Sequence, residues 1–140
     1  MDVKTKNVIW SGIPIRGIKS YQDLCLTASG LVLGIAEREI FFVFDPKTKR
    51  IVRKIHLGEK FNGRIPVSQG QRVFVKSPDG DIYLLLTNGI VQVHPNTFKL
   101  DFIAKAPTEI TAGGAYLDGR IYFVGADRTT LYSYRALKDD

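Results

Sequence analysis

The chain has 140 residues, 44% of them hydrophobic and 24% charged, with a formal charge of +6 at pH 7; this is the composition of one globular domain able to bury its own core. No run of about 18 apolar residues exists to form a membrane-crossing helix, and the opening MDVKTKNVIW lacks the apolar centre of a signal peptide. A lone cysteine, Cys25, provides neither a disulfide framework nor a thiolate zinc cluster, and its apolar neighbours Leu24 and Leu26 predict an inert, buried thiol.

In chain order, the predicted elements are short and extended. A strand over 8–10 is followed by a Gly-, Pro- and Ser-containing link over 11–20, then a strand over 24–27 and the turn Ala28-Ser29-Gly30. A strand over 31–36, the polar connection Glu37-Arg38-Glu39, a strand over 40–44, the turn Asp45-Pro46-Lys47-Thr48-Lys49 and a strand over 50–57 complete a four-stranded meander. After a Gly-rich link over 58–70 the series starts again. It runs through strands over 72–76, 81–86, 90–93 and 100–104, with Ser77-Pro78-Asp79-Gly80 and His94-Pro95-Asn96-Thr97 as turns. A third unit places strands over 113–117, 120–124 and 131–134, with Asp118-Gly119 between the first two. No stretch of ten or more residues keeps a 3.6-residue period, so helix is expected to be minimal. The local concentration of Lys47, Lys49, Arg50, Arg53 and Lys54 reads as a solvated outer edge strand rather than a nucleic-acid surface.

Two motifs recur. Aligned on threonine, DPKTKRIV, HPNTFKLD and DVKTKNVI begin at Asp45, His94 and Asp2. Asp79-Gly80-Asp81-Ile82-Tyr83 matches Asp118-Gly119-Arg120-Ile121-Tyr122, with Ser29-Gly30-Leu31-Val32-Leu33 as a weaker third copy. An interval of about 40 to 50 residues is that of a propeller blade. On these motifs the chain resembles part of a β-propeller of the quinoprotein-like, NHL and lactonase-type group. The resemblance implies an all-β, single repeat domain of three four-stranded antiparallel blades: about 11–57, 58–104, and 105–140 with 1–10 as the closing strand. Propellers typically close with four to eight blades. Two copies are therefore expected to form a homodimeric six-bladed ring, exchanging strands between their N- and C-termini. A chain complete at 140 residues would be cytoplasmic; a piece of a larger propeller protein is the alternative.

Catalytic parts are scarce. His56 and His94 are the only imidazoles, and His94 stands where Asp45 stands, as a turn-capping side chain. No His-x-x-x-His, Cys-x-x-Cys, Gly-x-Ser-x-Gly or phosphate-loop pattern occurs, so no catalytic residue is assigned. The expected function is a non-catalytic binding or scaffold module whose loop-lined mouth carries Arg16, Lys19, Arg38, Arg64, Asp127 and Arg128. Forked guanidinium donors there suit an anionic carbohydrate or protein ligand. No cofactor is expected. The resemblance implies one alternative, a metal-dependent lactonase- or lyase-type enzyme, in which Asp23 or Asp127 would hold calcium.

Overall fold

In a computed structural model, residues 12, 14–66 and 73–136 are described. They form eleven strands and one short helix: β1 (Tyr21–Leu26), β2 (Val32–Ala36), β3 (Ile40–Asp45), β4 (Arg50–His56), α1 (Leu57–Phe61), β5 (Phe74–Lys76), β6 (Ile82–Leu86), β7 (Gly89–Val93), β8 (Leu100–Lys105), β9 (Ala112–Leu117), β10 (Arg120–Val124) and β11 (Leu131–Arg135). Consecutive strands pair antiparallel into three meanders, β1–β4, β5–β8 and β9–β11. The first strands of the three sheets are neighbours, β1 beside β5 and β5 beside β9, as they are on the inner side of a propeller. The expected strand over 8–10, and the turn before it, lie outside the described residues. The third sheet therefore has three strands among the described ones.

The turns explain the meanders. Asp118 and Gly119 both have positive φ (51° and 78°), joining β9 to β10 in a two-residue hairpin. The β1–β2 and β5–β6 turns share another design. The buried hydroxyls of Thr27 and Ser77 accept the backbone N–H groups of Leu31 and Asp81 at 3.0 Å each, and Gly30 and Gly80 take the left-handed position. The threonine-containing turn also repeats in three dimensions. Asp45 Oδ1 accepts from Lys47 N at 2.9 Å, and His94 Nδ1 accepts from Asn96 N and Thr97 N at 3.2 Å each. His94 is thus a turn cap, as its alignment with Asp45 predicts.

Packing between sheets makes the core. One face of the first sheet (Leu33, Ile35, Phe41, Val43) meets one face of the second (Ile82, Leu84, Leu86, Val91, Val93, Leu100). The other face of the second (Val75, Tyr83, Leu85, Ile90) meets the third (Ile121, Phe123, Tyr116, Tyr132, Tyr134). Because the middle sheet is covered on both sides, β6 reads Ile-Tyr-Leu-Leu-Leu with no polar alternation, and all five residues are buried. Each such leucine is worth about 1.5–3 kcal/mol relative to an exposed one. The outer faces of the end sheets are different. Tyr21, Leu24 and Leu26 stand exposed on the first, Leu117 and Leu131 on the third.

One short element departs from the expected strands. Residue 57 was expected to end a strand, but Leu57 starts the single-turn helix α1 and is fully buried. His56 supplies the cap, its Nδ1 accepting from Glu59 N at 3.2 Å, and Asn62 ends the turn in the left-handed conformation at φ 55°.

Candidate functional site

Meander topology places the connections β2–β3, β4–β5, β6–β7, β8–β9 and β10–β11, with the entry to β1, along one rim. Backbone hydrogen bonds lock this rim from sheet to sheet. Ile65 N donates to Arg38 O at 3.0 Å, and the equivalent Ile110 N donates to Thr87 O at 2.8 Å. Both isoleucines are fully buried between sheets. Each of these two links therefore plugs an isoleucine into the core beside the preceding sheet's turn, a second repeat that the turn motifs do not reveal.

The six predicted binding residues all belong to this rim, yet they differ in what occupies them. Arg38 sits at φ 63° in the β2–β3 turn, its N–H bonded to Gln22 Oε1 at 2.8 Å and its Nη2 to Ile65 O at 2.9 Å. Its guanidinium thus helps bind the first sheet to the link entering the second. Asp127 caps its own loop, accepting from Thr129 N at 3.0 Å, from Thr130 N at 2.9 Å and from the Thr130 hydroxyl. These bonds, that of the Thr130 hydroxyl first, hold its carboxyl down at about 2. Arg64 pairs with Glu39 Oε1 at 3.4 Å. Arg16, Lys19 and Arg128 extend as exposed side chains.

Asp23, the other expected calcium ligand, is a clamp between sheets. Its Oδ2 accepts from Val73 N at 2.9 Å and Phe74 N at 3.1 Å, while Oδ1 accepts from Leu24 N at 2.8 Å. Among the described residues no group of three His, Cys, Asp or Glu side chains is arranged to hold a metal ion. Cys25 is half-buried rather than buried, and that partial burial pushes its thiol above its ordinary value, with Lys76 lowering it in part.

Sequence reasoning missed a polar cleft on this rim, of about 270 Å³, lined by Glu39, His56, Glu59, Asn62, Arg64 and Thr87 among others. Glu39 is its centre, with Oε1 on Arg64 and Oε2 at 3.8 Å from His56 Nε2. Because His56 Nδ1 accepts from α1, a neutral imidazole carries its proton on Nε2, toward the carboxylate. The cleft therefore offers a carboxylate, an imidazole and a guanidinium together to a polar ligand. The available signal is His56 followed by Glu59, a cap-like spacing that runs from the end of the strand expected over 50–57 into the link over 58–70.

No protein-family model matches the chain, and no curated protein matches it in sequence. Solved structures do match in fold. The chain is similar to the extracellular domain of a hybrid two-component system from B. thetaiotaomicron, with a TM-score of 0.56, 18% identity, and coverage of 86% of this chain and 15% of that one. It is also similar to the WD40 repeats of RRP9, with a TM-score of 0.59, 13% identity, and coverage of 86% of this chain and 36% of that one. The chain thus spans about 15% and 36% of the lengths of these two proteins. The likeness defines the class: a β-propeller-like arc of antiparallel blades.

Proposed function

We propose that this chain is a non-catalytic β-propeller binding or scaffold module that reaches a closed, six-bladed ring by pairing two copies. One observation carries the reading. The middle blade is buried on both faces, whereas the end blades leave Tyr21 (41%), Leu24 (61%) and Leu26 (62%) on one side and Leu117 (59%) and Leu131 (65%) on the other exposed. Apolar faces of this kind call for a cover. In a two-fold ring, the last blade of each copy would cover the first blade of the other, sealing both junctions with one pair of surfaces. Light scattering tests it: a single species near twice 15.7 kDa is expected, and a monodisperse monomer at micromolar concentration overturns it.

The rim of such a ring would present Arg16, Lys19, Arg64 and Arg128 twice around one mouth, a positive funnel for an anionic carbohydrate or protein ligand. Calorimetric titration with a polyuronate and with a poly-glutamate peptide tests this part. Binding that weakens with salt and with Arg64→Ala plus Arg128→Ala supports it, and no heat at millimolar ligand refutes it. Elemental analysis of the purified protein tests the enzymatic alternative, which requires bound metal.

A further inference from the structure

Phe102 lies on β8, the outermost strand of the second sheet, and remains 38% exposed. Its ring tilts against that of Phe61 in the preceding link, with centroids 5.8 Å apart. Both residues are held in place. A side chain at Gly89 would collide with the Phe102 ring and with Ala104 O, so the glycine makes the seat for that ring. Asn88 Nδ2 donates to Phe61 O at 3.0 Å, and Asn88 O accepts from Ala106 N at 3.0 Å. The Asn88 amide occupies the space that a side chain at Gly63 would take. One residue thus ties the link holding Phe61 to the link that follows β8, and the two rings are positioned before anything binds.

The rings form the apolar wall of a pocket of about 310 Å³, completed by Asn62, Asn88 and Lys105. This volume is at the lower end of small-molecule sites. Among the described residues its lining offers two amides and one ammonium group, and no carboxylate. A second ammonium group, Lys60 Nζ, lies 5.6 Å from the centroid of the Phe61 ring. The carboxylates of Glu39 and Glu59 line the polar cleft that shares Asn62, where Glu39 faces Arg64 and His56. An apolar wall, amide donors and positive charge select an aromatic ring that carries an anionic group.

We propose that this pocket binds a small aromatic carboxylate, its ring on Phe102 and Phe61 and its carboxylate on Lys105, with Lys60 adding charge nearby. The site is built within one chain, so it does not depend on the ring or on the mouth residues Arg16, Lys19 and Arg128.

Calorimetric titration with 2-naphthoate tests it, and a dissociation constant on the order of 0.1–1 mM is expected for a ligand of this size. Phe102→Ala should weaken binding about tenfold. Lys105→Gln, at an exposed position outside the core, should weaken it about threefold and remove much of its salt dependence. Arg128→Ala should leave it unchanged, which separates this site from the mouth. Backbone amide chemical shifts should move at Asn62, Asn88 and Lys105. Naphthalene-2-carboxamide bound as tightly as the acid, no binding at millimolar concentration, or shifts confined to the exposed Leu24 and Leu131 would each overturn the proposal. Any of these leaves the ring reading standing, and a monomer in light scattering leaves this site standing.

Discussion

Replacing Asp23 by alanine should destabilise the protein by about 2–4 kcal/mol, although Asp23 lies on a partly exposed inner strand. The carboxylate accepts three backbone N–H groups, two of them from residues 50 and 51 positions later. Val73 is 1% exposed, so its N–H would be left buried without water; such a group costs about 1–3 kcal/mol, and the loss is larger where the acceptor was charged. Phe74 is half-buried and Leu24 exposed, so water replaces their bonds in part and the sum stays at the low end. Asp23→Asn retains one carbonyl oxygen for Val73 and Phe74 and should cost about 1 kcal/mol. Urea unfolding followed by circular dichroism, at one fixed protein concentration, gives the difference from the midpoint and slope. An alanine variant within about 0.5 kcal/mol of the parent, at an unchanged slope, would refute the clamp.

Two further outcomes follow from packing and titration. A methyl group on Gly34 would lie 2.2 to 2.8 Å from three ring atoms of Phe42, a side chain only 2% exposed. Gly34→Ala should therefore cost about 1–3 kcal/mol, and clearly less in a Phe42→Ala background; equal costs in both backgrounds would sink the explanation. Burial, then Asp81, Tyr116 and Tyr134, pushes the Tyr83 phenol up from 10.0 to about 12. Its folded value exceeds its unfolded one, so its contribution to stability is complete below pH 10 and fades as pH rises toward 12. Absorbance at alkaline pH should show a late step that belongs to Tyr83, and Tyr83→Phe should abolish that step and flatten the loss of melting temperature between pH 10 and 12.

How much of this was legible in the sequence varies with the reach of each interaction. The turns are local: Asp118-Gly119 dictates a two-residue hairpin, and the likeness of His94 to Asp45 predicts its capping role before any coordinate is known. The α1 turn was not legible, because one helical turn has no periodicity to detect and its cap is a histidine. The six rim residues were placed by topology alone, but their availability was not. Whether Arg38 faces a ligand or a carbonyl depends on Ile65, 27 residues away in another sheet's link.

By itself, the sequence determined strand, turn and repeat, since alternation and turn chemistry act between neighbours along the chain. Only the tertiary structure decided which side of each strand is interior. Tyr83 and Tyr122 occupy the same place in the same motif, yet Tyr83 is buried and Tyr122 only half so. A described blade packs against the first, and none against the second. Burial, and with it the roles of Asp23, Arg38 and Tyr83, is set by what lies across the gap between sheets.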